Sequence, residues 1–161
     1  MADETLLVLA QEVRGLTLRI LDRLSEAGAD GHFHAPGLKN TILWNAGHVL
    51  VVVEHLCVAP LSEKRVAADP PGYFETFSWK SDPAKVTNWP ALSEVRGHLA
   101  NQLTRLLHLI RQADAAALAR VVDDESRTVR HSIVHGLHDE AAHHGQMYLL
   151  RKMQLATSAS R

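Results

Sequence analysis

The sequence predicts an all-α protein, a single domain folded as a four-helix bundle. Three observations lead there. Four long segments repeat apolar residues every three or four positions. No segment shows the strict alternation that would support a sheet. The prolines fall at the ends of the four segments or between them. The 161 residues suit one domain spanning 1–161, and 46% apolar residues are enough to build its core.

The first helix is expected from Glu4 to Ala27, with Leu6, Leu7, Leu9, Ala10, Val13, Leu16, Leu18, Ile20, Leu21 and Leu24 recurring at helical spacing. Asp3 can cap its start and Gly28 can end it. Residues 29–37 read as a loop. The second helix should begin at Asn40 or Thr41 and end at Pro60. Val51-Val52-Val53 is strand-like in isolation. The length of the apolar segment and the spacing of Trp44, His48, Val51 and His55 favour a helix.

Lys64 to Pro90 forms a long connection, which permits a crossover. Its aromatics (Tyr73, Phe74, Phe77, Trp79 and Trp89) predict that it packs on the bundle. The third helix is expected over 91–112, with Pro90 near its first turn. A short helical segment should follow within 113–122. The fourth helix should run from Ser126 or Thr128 to Leu155, and Ala156–Arg161 reads as a frayed tail.

Charge excludes some functions. Seventeen basic and eighteen acidic side chains give a formal charge of −1, which gives no basis for binding nucleic acid or an anionic membrane. No uninterrupted apolar run is longer than Val49–Val53, which is too short to cross a bilayer. The lone Cys57 makes no internal disulfide and reads as a small core residue. The N-terminus lacks signal-peptide order, so a cytoplasmic protein is the expectation.

Histidine is the unusual component. There are 11, and His131, His135, His138, His143 and His144 fall on the last helix. At helical spacing His135, Asp139 and His143 form a stripe, with His131 and Gln146 beside it. Farther along, the same side carries Leu149, Leu150 and Met153, read as core. Imidazole and carboxylate on a buried face are costly without partners, and a divalent ion satisfies several together. His48 on the second helix is the facing candidate. Two ligands from one helix and one from another leave coordination positions open, as in catalytic sites. A hydrogen-bonded core histidine at His48, and solvated acids at Asp139 and Glu140, are the competing readings.

Two segments resemble a known family. Leu43-Trp-Asn-Ala-Gly-His-Val49 and Leu137-His-Asp-Glu-Ala-Ala-His-His-Gly-Gln-Met147 are similar to the second-helix and last-helix motifs of the DinB-like (YfiT-like) superfamily of four-helix metalloproteins. The resemblance implies an up-down-down-up bundle with a long crossover between the second and third helices. It implies a metal site built from His48 and His143. The family's third ligand lies four residues before the second of its last-helix pair and is usually His; here that position holds Asp139, with His138 five residues back. The expected set is His48, Asp139 and His143. His138 is the substitute, and His135 or Gln146 the outer support.

The resemblance further implies zinc, nickel or manganese and a small-molecule substrate. The implied activity is S-transfer from a low-molecular-weight thiol, with walls from Tyr73, Phe74 or Trp79. Metal-dependent hydrolysis with Glu140 or a spare His as base, or a non-catalytic metal- or ligand-binding bundle, are the alternatives. Relatives of this kind are often homodimers.

Overall fold

The computed structural model describes residues 3–29, 31–122 and 126–159. Among them the chain is helical without strands, apart from an isolated antiparallel bridge between Val121 and Thr128. Four long helices carry the fold: α1 (Glu4–Glu26), α2 (Ile42–Leu61), α4 (Leu92–Gln112) and α6 (Val129–Ala159). Two short ones, α3 (Tyr73–Phe77) and α5 (Ala115–Ala119), lie in the connections.

The starts follow from side-chain capping. Asp3 accepts from the Leu6 amide, Thr41 from Trp44, Asp114 from Ala117, and Thr128 from His131. Of the two caps expected for the second helix, Thr41 serves. Gly28 follows the end of α1 at φ 66°, a left-handed backbone that suits glycine. At the other end of the chain, α6 continues through the expected tail to Ala159, while Ser160 and Arg161 lie outside the described residues.

α2 is the central element. All twelve residues from Ile42 to Val53 are buried, which is why three β-branched valines sit in a helix. Burial on every side outweighs their weak helix propensity. Counting uninterrupted runs understated this helix. Ile42–Leu61 is long and apolar enough to cross a membrane by length and composition, yet 89% of its most apolar window is buried inside the bundle.

Its second half is not regular α-helix. Glu54–Val58 is a π-helix, and the Ala59 amide reaches back to the Glu54 carbonyl. Pro60, in the last turn, has no N–H to offer the Leu56 carbonyl. Ser132 of α6 fills that vacancy, its hydroxyl donating at 2.7 Å. One residue along, Cys57 lies against Gly136, where an added Cβ would come within 2.5 Å of its sulfur. Small residues therefore let α2 and α6 approach closely at this level.

A buried polar chain crosses the bundle. Arg14 of α1 is 2% exposed and donates from Nε and Nη2 to Glu140 of α6 at 2.7 and 3.0 Å. It also donates to the Leu99 carbonyl and to Gln102 of α4. Gln102 in turn donates to the Leu50 carbonyl and to Glu54 on α2, and Arg105 grips both oxygens of Glu54. All four long helices are thus tied by one network.

Cys57 is fully buried, as expected of a core residue, and burial pushes its thiol well above the ordinary range. In native buffer it should resist an aromatic disulfide reagent. Its modification rate should follow the rate of global opening across a denaturant series. Fast stoichiometric labelling of the folded protein would contradict this burial.

Candidate metal centre

The site begins with the first turn of α2. The Thr41 carbonyl accepts from the Asn45 side-chain Nδ2 at 2.8 Å. A carbonyl can only accept, so this bond fixes the amide orientation and leaves Asn45 Oδ1 as an acceptor. That oxygen meets His143 Nδ1 of α6 at 2.7 Å, so His143 carries its proton on Nδ1. The same logic applies to His48. Its Nδ1 lies 2.6 Å from the Phe77 carbonyl and must donate to it. In its neutral form each imidazole therefore presents an Nε2 lone pair. An acceptor on the other ring nitrogen, as Phe77 and Asn45 provide here, is the usual outer support of a metal-ligating histidine.

Asp139 completes the group. One ligand atom from each of His48, Asp139 and His143 lies within 4.8 Å of the others, and among the described residues this is the grouping of that kind. His143 Nε2 and Asp139 Oδ2 are 3.7 Å apart. Metal–ligand bonds of about 2.1 Å in a tetrahedral site would put ligand atoms about 3.4 Å apart, so this pair is close to the required spacing. Asp139 Oδ2 is buried and has no hydrogen-bond partner. A carboxylate oxygen facing two imidazole lone pairs is an all-acceptor arrangement, and a cation is what satisfies it.

Electrostatics act in the same direction. Burial holds the His143 imidazole below the ordinary histidine range, the neighbouring His48 adds to the effect, and Asp139 opposes it. A neutral imidazole is the form that ligates a metal.

Aromatic rings enclose one side. The Trp44 indole stacks on His48 with centroids 4.6 Å apart and planes 16° apart, and its Nε1 donates to Ser81. Phe77 of α3 is fully buried against Gly47 and supplies the carbonyl for His48. The aromatics expected to form the wall are elsewhere. The Tyr73 hydroxyl bonds Glu94, Phe74 packs beside His55, and Trp79 is 56% exposed. The long connection does pack on the bundle, as its aromatics suggested, but through Tyr73 and Phe77.

His138, His135 and Gln146 are exposed on α6, and the three-residue group includes neither histidine. An i,i+5 ligand pair on the last helix would have needed a local bulge. α6 is regular through 138–143, so His138 falls on the outer face. Leu149, read as core, is 58% exposed, while Leu150 one position on is buried. Glu140 is neither solvated nor available as a base, because Arg14 holds both of its oxygens. Sequence reading missed Asn45, although it lies inside the second-helix motif one turn before His48. It also missed the pairing of His55 Nε2 with Asp69, which joins residues in different elements and carries no local signal.

No curated protein matches the chain. The sequence does match the DinB superfamily over residues 9–147, a span that begins within α1, covers α2, the crossover and α4, and ends within α6 after all three members of the group. The chain belongs to the DinB superfamily.

Proposed function

We propose that the chain is a divalent-metal enzyme that transfers a low-molecular-weight thiol to a small electrophile, with His48, Asp139 and His143 as the protein ligands. The observation carrying this reading is the buried, unpartnered Asp139 Oδ2 facing two imidazoles whose Nδ1 protons are already committed. Two nitrogens and one oxygen without a cysteine suit zinc, nickel or manganese. Three protein ligands leave positions open, whereas structural zinc sites are usually closed by four.

A bound ion supplies Lewis acidity, which favours the thiolate form of a thiol at neutral pH. The chain's own residues do the rest. Phe77 and Asn45 hold the two imidazoles in one tautomer, and Trp44 excludes water from one side of His48. Next to Asn45 lies a cavity of about 500 Å³ bordered by Leu38, Gln146, Leu149, Leu150 and Met153, a volume and lining suited to a small apolar substrate. The hydrolytic alternative has lost Glu140 as its general base. Side-chain pairs support an up-down-down-up arrangement: Asn45–His143 and Leu56–Ser132 run antiparallel, as do Arg14–Leu99 and Asp22–Arg96, while Asp3–Arg130 and Arg14–Glu140 run parallel.

Metal content of the untagged protein, by mass spectrometry, is the first test. About one transition metal per chain, lost in His48→Ala, is expected. A protein that neither holds nor takes up metal would end the enzyme reading. With metal loaded, the rate with a generic electrophile should saturate with thiol. Hydrolysis of an ester panel without thiol would favour the alternative.

Gly47 offers a more specific check of the support around His48. An added Cβ would lie 2.3 Å from the Phe77 ring. Alanine is the better helix former, yet Gly47→Ala should destabilise by about 1–3 kcal/mol, because the ring must move. The Phe77 carbonyl moves with it, so metal affinity should fall about 10- to 100-fold. Unchanged affinity in a competition titration would show that the carbonyl does not hold His48 in place.

A further inference from the structure

Five of the 11 histidines lie on α6, and one of them, His143, belongs to the metal centre. Two of the others stand in line with it. His131, His135, Asp139 and His143 follow one another at intervals of four residues along an unbroken helix. We propose that His131 and His135 form an entry path, which captures a divalent metal ion at the surface and passes it through Asp139 to the centre. The inference rests on the metal reading of His48, Asp139 and His143.

Helix geometry turns the spacing into a path. Four residues rise about 6 Å and turn about 40° beyond one full revolution. A stripe of period four therefore winds slowly around the helix and does not keep to one face. Here it winds inward. His131 and His135 are exposed, the Asp139 side chain is 33% exposed, and that of His143 is 12% exposed. Each step has the i,i+4 spacing at which two side chains can share one ion. Asp139 joins the outer and inner parts. Its side chain reaches solvent, yet its Oδ2 is buried and lies 3.7 Å from His143 Nε2.

Other sides of the centre are covered. His48 is buried, with the Trp44 indole stacked on it and its Nδ1 bonded to the Phe77 carbonyl. Asn45, fully buried, stands behind His143. Asp139 is more exposed than either histidine of the group, so the approach from water passes beside it. One turn outward is His135, and one turn beyond that is His131. Among the described residues neither imidazole has a hydrogen-bond or ion-pair partner, so both are available as ligands. An ion held there is within one helical turn of Asp139, which raises its effective concentration at the centre.

His138 provides the comparison. It precedes Asp139 in sequence and is exposed, but it points about 100° away around the helix. It offers the same imidazole off the path.

Stopped-flow mixing of the metal-free protein with limiting zinc tests the proposal. Tryptophan fluorescence reports filling of the centre, because Trp44 stacks on His48. Mixing the zinc-loaded protein with excess chelator gives the release rate. A residue that acts only on the path changes uptake and release by the same factor and leaves their ratio, the affinity, unchanged. His135→Gln should slow both about threefold, and the double variant His131→Gln with His135→Gln about tenfold. Affinity in a competition titration and the metal-free melting temperature should match the wild type in both. His135→Asp restores a ligand at the same step and should recover the rate. His138→Gln should leave uptake unchanged, which separates a path from a general attraction of zinc to exposed histidines. Equal uptake by the wild type and the double variant overturns the path and leaves the centre standing. Faster release from the double variant also overturns it, because the two histidines would then be resident ligands. A wild type that takes up no zinc removes the centre and the path together.

Discussion

Arg14→Ala should lower stability by about 3–5 kcal/mol, because it leaves the Glu140 carboxylate buried and uncompensated. The pair is 2% and 0% exposed, and its two bonds at 2.7 and 3.0 Å join α1 to α6. The same guanidinium satisfies the Leu99 carbonyl and Gln102, so its loss also leaves α4 with unmet acceptors. Urea unfolding of the metal-free protein measures the change. For a domain of this size the melting temperature should fall by about 10 °C or more. The double variant Arg14→Leu with Glu140→Leu should recover a substantial part of the loss, since paired removal leaves no buried charge. A loss below about 1 kcal/mol in the single variant would mean that the core relaxes to admit water at Glu140.

Glu140 shows where sequence reading reaches its limit. Periodicity placed it on the last helix and left it as a solvated acid or a catalytic base. Its actual partner is 126 residues away on α1, and nothing local announces a pairing between elements. Arg14 was equally hidden, because an arginine amid the leucines of α1 reads as a break in the apolar stripe. The capped starts of the helices were legible because a cap and its amide are three residues apart. Asp3, Thr41 and Thr128 all act as expected. The π-helix was not legible. Its visible trace is Pro60, which reads as a helix end, and the hydroxyl that compensates it comes from Ser132 on another helix. The metal group lay in between. The i,i+4 spacing put Asp139 and His143 on one face, and the structure brings His48 to them. The rotation of α6 that exposes His138 and His135 depends on its packing against α1 and α2, which spacing alone does not supply.

Asp139→Asn separates the metal reading from an ordinary packing role. Asparagine keeps the shape and removes the charge. In the metal-free protein Asp139 Oδ2 is buried without a hydrogen-bond partner, and it faces the unprotonated nitrogen of His143. Removing that carboxylate therefore removes an uncompensated charge and supplies an amide that can donate to Nε2. The metal-free melting temperature of Asp139→Asn should equal or exceed that of the wild type. Metal affinity should move the opposite way. Loss of an outer support typically costs 10- to 100-fold, so loss of a charged ligand should cost about 100-fold or more. Saturating metal should accordingly raise the wild-type melting temperature and leave that of the variant nearly unchanged. The contrast with the next residue sharpens the test. Glu140→Gln breaks a buried ion pair and should destabilise the metal-free protein, although the two acids are adjacent on one helix. If Asp139→Asn instead destabilised the metal-free protein and bound metal as tightly as the wild type, Asp139 would be a structural partner of a protonated His143. The three-residue group would then owe its geometry to packing alone.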